Sequence, residues 1–116
     1  MNHENVLRFV GICRQKETIY LVTELVLYGE LAAAVAEDHI PRDNWLVKVQ
    51  MAYQGALSLE YLHKQNIIHN DIKTENMLIS DGWQIKLCDF GFARKLEEDT
   101  FSDKRLCGVC QKNFKL

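Results

Sequence analysis

Ten residues constrain this chain most: Ile67-Ile68-His69-Asn70-Asp71-Ile72-Lys73-Thr74-Glu75-Asn76, with Asp89-Phe90-Gly91 beginning thirteen positions after Asn76. Between them, Met77-Leu78-Ile79 is an apolar run that reads as a buried strand. Ile85-Lys86-Leu87-Cys88 alternates as a second strand would. Ser80-Asp81-Gly82 joins the two, and Asp and Gly tolerate the positive φ of a tight turn. The spacing predicts a hairpin with Asn76 at its entrance and Asp89 at its exit. One strand leaves Asn76 and the other returns to Asp89, so these side chains end near each other and near Asp71 and Lys73. The residue types suit one chemistry. An amide carbonyl (Asn76) and a carboxylate (Asp89) are hard oxygen donors that suit Mg²⁺. Asp71 can accept a hydroxyl proton, and Lys73 can neutralise a phosphoryl group. Phosphoryl transfer is catalysed mostly by such positioning and charge neutralisation.

On these residues the sequence resembles the protein kinase family. His69-Asn70-Asp71 with Lys73 and Asn76 is similar to the catalytic loop H-R-D-x-K-x-x-N, and Asp89-Phe90-Gly91 to D-F-G. A lone D-F-G is a weak signal. The two motifs together, with a hairpin-length spacer, are specific; an ordinary polar turn beside a hairpin leaves five positions to chance. The resemblance implies that Asp71 is the base or orienting carboxylate for the substrate hydroxyl. It implies that Lys73 neutralises the γ-phosphate, and that Asn76 and Asp89 hold Mg²⁺ on the phosphates of ATP. Lysine at position 73 leans towards Ser/Thr specificity. His69 is expected to be a structural hydrogen-bonder and Cys88 to pack.

Upstream, the strand-like run Val6–Cys13, the polar turn Gln15-Lys16-Glu17 and the run Thr18–Thr23 predict a hairpin. With His3-Glu4-Asn5 before it, this stretch resembles the kinase H-x-N-I segment and the family's fourth and fifth strands. By that resemblance Glu24-Leu25-Val26 is the hinge between lobes, whose backbone groups hydrogen-bond adenine. Thr23 stands at the back of that pocket, and Leu78 forms its floor. A turn glycine, Gly29, precedes the helix-favouring stretch Ala32–Glu37. Asp43 to Lys64 is the best helix, capped by Asp43 or Asn44. Leu46, Val49, Tyr53, Ala56, Leu59 and Leu62 recur at helical spacing, but Trp45, Val47, Met51, Ala52, Leu57 and Tyr61 are apolar as well. Such a helix needs cover on more than one side. Gly55 in mid-helix suggests a close backbone contact.

The expected fold is therefore α+β, an incomplete kinase-like domain over residues 1–116. Residues 1–24 are a remnant of the N-lobe, and 25–116 the N-terminal part of the C-lobe. The expected elements are the N-lobe hairpin, hinge, helices D and E, catalytic loop, metal-site hairpin and start of the activation segment (Phe92 onward). Leu106-Cys107-Gly108 is similar to the C-G-T of the substrate-docking loop, without the A-P-E that follows in kinases. Cys107-Gly108-Val109-Cys110 has metal or redox spacing but is only half a zinc site. The 116 residues carry a net charge of −2, which points to no nucleic-acid or membrane-surface partner. The four cysteines form no secreted framework, so reduced thiols and a cytoplasmic location are the expectation.

The family's glycine-rich loop, its strand lysine and its helix C glutamate are not in this sequence. Three functions follow. The chain is part of a protein kinase that uses ATP and Mg²⁺ on a protein substrate; or it is a catalytically dead module that binds nucleotide or protein; or it is a remnant that does not fold. An incomplete core should leave apolar surface that aggregates or takes a partner. Asn70 stands where most kinases have arginine, and an amide cannot form a bidentate pair with phosphate. Phosphorylation of Thr100 or Ser102 is therefore not expected to switch the chain through a pair with residue 70. A kinetic assay showing a large gain that Asn70→Ala abolishes would contradict this.

Overall fold

The computed structural model describes residues 2–40 and 43–96 of an α+β chain. The acidic run 97–99, Thr100, Ser102 and the Cys107–Cys110 pair lie outside them. Among the described residues no helix is long and apolar enough to cross a membrane.

β-Branched and aromatic residues favour a pleated strand, and they form the first hairpin, β1 (Phe9–Gln15) and β2 (Thr18–Thr23). The strands pair antiparallel from Gln15↔Thr18 to Phe9↔Thr23, with a shift of register between Phe9 and Gly11 that marks a bulge. Lys16 takes φ 54° in the turn. Both faces are open to solvent: Phe9, Val10, Ile12, Ile19 and Leu21 are all exposed.

The run expected to start at Val6 divides. Val6 is buried and pairs in parallel with Leu87, and β1 proper begins at Phe9. The central layer is the hairpin of β4 (Met77–Ser80) and β5 (Gln84–Leu87), in register from Met77↔Leu87 to Ser80↔Gln84. Each edge is covered by a loop segment. Leu7 N donates to Leu87 O (2.9 Å) and Leu87 N to Asn5 O (2.9 Å) on one side. Ile79 N donates to Gly29 O (2.9 Å) and Tyr28 N to Ile79 O (3.3 Å) on the other. The turn differs from expectation. Gly82 (φ 66°) and Trp83 (φ 63°) take the left-handed conformation, while Asp81 does not. Asp81 instead accepts a hydrogen bond from Tyr28 Oη at 2.9 Å.

One face of this layer buries Ile79 and Ile85 against Leu31 and Ala34 of α1 (Leu31–Ala36), Ile40, and Met51 of α2 (Trp45–Lys64). Asn44 caps α2, its Oδ1 accepting from Val47 N at 3.2 Å. The sequence leaves the buried flank of this helix open, and the structure selects one. Met51, Gly55, Ser58 and Leu62 are buried, whereas Trp45, Leu46, Val49 and Tyr53 are exposed. The hairpin lies on the flank lined by small residues, which permit close approach, and the bulkier flank has no cover among the described residues. Nor does Gly55 meet another backbone: a Cβ there would sit 3.6 Å from Met77 Cε, an ordinary contact.

A partly buried amide knot fastens α2 to the hairpin. Gln54 Oε1 accepts from Asn5 Nδ2 (3.0 Å) and Ile85 N (2.7 Å), and Gln54 Nε2 donates to Trp83 O (3.3 Å). Finally, β3 (Ile67–Ile68) pairs antiparallel with β6 (Arg94–Lys95), returning the chain after Gly91 to the start of the 69–76 loop.

Ile85 is fully buried, so Ile85→Ala should cost about 2–5 kcal/mol through lost burial and a cavity. Gly55→Ala should instead stabilise by about 0.5–1 kcal/mol, since the added methyl finds room and the helix gains propensity. Urea unfolding followed by circular dichroism measures both.

Candidate active site

The loop between β3 and β4 is built around a buried histidine. His69 is 1% exposed, and its Nε2 lies 2.9 Å from Cys88 O while its Nδ1 accepts from Asp71 N at 3.3 Å. Those partners call for a neutral ring protonated at Nε2, so His69 is the structural hydrogen-bonder expected. It also packs tilted against Phe90, ring centroids 5.0 Å apart. Asn70 takes φ 65°, a conformation that asparagine tolerates well. Its Nδ2 donates to Phe92 O at 3.0 Å.

Asp71, Lys73 and Asn76 converge. Asn76 Nδ2 donates to both Asp71 O (2.9 Å) and Asp71 Oδ2 (2.8 Å). Lys73 Nζ lies 2.9 Å from the same carboxylate oxygen. The hydrogen bonds from Lys73 and then Asn76 hold the Asp71 carboxyl below its ordinary range. The same contact with Asp71 pushes the Lys73 ammonium above its usual value, with smaller contributions from Glu75 and Asp89. Asp89 reaches the group through the backbone: Cys88 N donates to Asn76 O at 2.9 Å, which sets the hairpin's exit beside its entrance. Asp89 has φ 58°, and its Oδ1 accepts from Gly91 N at 3.1 Å. Cys88 is half-buried, and burial pushes its thiol upward.

The linker residues sit apart from this cluster in sequence and join it through β4 and β5. Thr23 Oγ1 donates to Glu24 O at 3.2 Å, and Glu24 N donates to Arg8 O at 3.0 Å. The peptide groups of Val26 make no hydrogen bond among the described residues. Leu78 is half-buried, and the alternation along β4 turns it away from the core face that Ile79 occupies. Two surface cavities, of about 350 and 520 Å³, are lined by none of these eight predicted residues.

The sequence pattern of the protein kinase domain matches residues 1–111. The chain belongs to the protein kinase family. It is 39% identical over 107 residues to a probable serine/threonine-protein kinase, kinX, of Dictyostelium discoideum, covering 92% of this chain and 10% of that protein. The probable serine/threonine-protein kinase drkD of the same organism is 37% identical over 111 residues, covering 94% of this chain and 8% of its own length. The tyrosine-protein kinase transforming protein Abl of Abelson murine leukemia virus is 31% identical over 102 residues, covering 88% and 14%. The chain thus spans about a tenth of the length of these relatives.

Sequence reasoning missed the side chains that brace the site rather than form it. The carboxylate of Glu24 pairs with Lys86 at 3.0 Å. The Asn70 amide holds Phe92, and Gln54 holds β5. A glutamine on the apolar flank of a helix was the one visible signal.

A carboxyl with a folded-state pKa below its unfolded value adds stability above the unfolded value, and this is lost as pH falls through the folded one. NMR titration of Asp71 should therefore show a midpoint below the ordinary aspartate range, and Lys73→Met should move it upward. A midpoint unmoved by that substitution would show that the contact does not hold in solution.

Proposed function

We propose that this chain carries the catalytic loop, hinge and phosphate-side metal residues of a protein kinase that moves the ATP γ-phosphoryl group to a protein Ser or Thr hydroxyl. The observation that supports this most directly is the Asp71 carboxylate, gripped by Lys73 and Asn76 through one oxygen. A base must be oriented before its pKa matters. On this reading Asp71 accepts the hydroxyl proton as the new O–P bond forms and the bond from the γ-phosphorus to the bridging oxygen of the leaving ADP breaks, and Lys73 moves from the carboxylate to the charge on the transferring group. Asn76 spends its Nδ2 on Asp71, which leaves Oδ1 as the cation donor beside the Asp89 carboxylate. These hard oxygens fit Mg²⁺; the ion, when bound, neutralises phosphate charge. Val26 offers unpaired peptide groups to adenine, Glu24 its carbonyl, and Leu78 an apolar floor, with Thr23 behind. Residues 1–24 then belong to the N-lobe and 25–116 to the C-lobe. The Ser/Thr assignment rests on Lys73 and on the likeness to two probable serine/threonine-protein kinases.

The exposed faces of β1 and β2 favour a second reading, a module that binds nucleotide or a protein partner without turnover. Incubation with Mg²⁺, labelled ATP and a generic protein substrate separates the two. Transfer should fall by about 10²-fold or more in Asp71→Asn, the scale of a lost general base. A chain whose melting temperature rises with Mg-ATP but that transfers no label supports the binding module. A chain unaffected by Mg-ATP in both assays rules out the kinase reading and nucleotide binding, and leaves the protein-binding module.

A further inference from the structure

Glu24 and Lys86 make an ion pair that the catalytic residues do not use. Glu24 Oε1 lies 3.0 Å from Lys86 Nζ and accepts from Arg8 N at 2.8 Å. Lys86 Nζ also donates to Glu4 O at 3.1 Å. The two side chains are only 21% and 12% exposed, respectively. Backbone bonds surround the pair: Glu24 N to Arg8 O at 3.0 Å, Leu7 N to Leu87 O at 2.9 Å and Leu87 N to Asn5 O at 2.9 Å. Three stretches distant in sequence therefore meet at one carboxylate. Lys86 stands directly across from Leu78 in the β4–β5 register, and strand alternation turns it away from the core face of Ile85 and Leu87. It lies three residues before Asp89, near the end of β5.

A solvent-exposed ion pair contributes little. This one is partly shielded from water, so losing either partner leaves the other charge half-buried and one ligand short. The carboxylate is also the first side chain of the 24–26 linker, so what holds it holds the linker backbone. We propose that the Glu24–Lys86 pair is a positioning device. It sets the linker against β5, the strand that leads to Asp89, so that contacts to a nucleotide's base and to its phosphates stay in register. This inference rests on the nucleotide-binding reading above. Glu24 and Lys86 act here through the backbone of other residues and touch no reacting atom.

The test uses the full chain, with Mg-ADP as the probe. Amide hydrogen exchange without nucleotide reads the linker directly, and a binding titration reads its consequence. Lys86→Met should raise exchange at the Glu24 amide, which donates to Arg8 O, and weaken Mg-ADP binding, each by about tenfold, and leave amides inside α2 unchanged. Lys86→Arg, which keeps the charge, should restore both to within about twofold. Glu24→Gln keeps an oxygen for the Arg8 amide but removes the charge, and repeats the test if Lys86→Met fails to fold. Unchanged exchange at the Glu24 amide in the charge-removing variant overturns the proposal, whatever the nucleotide does. So does faster exchange with undiminished Mg-ADP affinity. If the parent chain binds no Mg-ADP while the exchange effect persists, the linker restraint stands and the nucleotide reading falls.

Discussion

The site depends on what one asparagine does with its donors and acceptors. Asn76 sits where the loop becomes strand β4. Its side chain grips Asp71 twice, at the peptide oxygen and at the carboxylate, while its own peptide oxygen accepts from Cys88 N. One buried residue thus fixes the loop behind it and the strand end ahead of it. Amide–carboxylate bonds of this sort are strong where water is partly excluded, and leaving such groups unpaired is costly. Asp71, Lys73 and the backbone leading to Asp89 inherit their places from it.

The hairpin that carries Asn76 and Asp89 is held mostly by polar groups at its margins. Segment 5–7 covers one edge and segment 28–30 the other, while Gln54 reaches up from α2 to the start of β5. The apolar core below is small: Leu31, Ala34, Ile40, Met51, Ile79 and Ile85. Position at the site therefore comes as much from satisfied backbone groups as from packed volume. The long exposed flank of α2 and the bare faces of β1 and β2 complete the picture of a layer covered on one side only.

The hairpin, the capped helix and the convergence of Asp71, Lys73 and Asn76 were legible because each is a local consequence of residue order. Turn residues, strand alternation and a five-residue separation within one loop need no tertiary information. The buried flank of α2 was not legible. Apolar residues occupy nearly its whole circumference, so periodicity cannot choose a side; the hairpin's approach does, and it selects Gly55 and Ser58 rather than Leu46 and Val49. The turn at 81–83 was misread because Asp81 found a tertiary partner, Tyr28, and the left-handed conformation passed to Trp83. The Glu24–Lys86 contact was invisible for the same reason. Neither residue has a local pattern, and only the folding of segment 4–8 onto β5 brings them together.

Two residues of this site adopt a backbone conformation hostile to most side chains, Asn70 at φ 65° and Asp89 at φ 58°. Asparagine and aspartate pay the smallest penalty there after glycine, whereas β-branched residues pay heavily. Selection for a foldable chain therefore acts on these positions independently of selection for turnover. A lineage that had abandoned catalysis would still be steered towards the same two amino acids by stereochemistry. Drift away from activity would register first at Lys73 and Glu75, whose exposed side chains owe nothing to an unusual torsion angle.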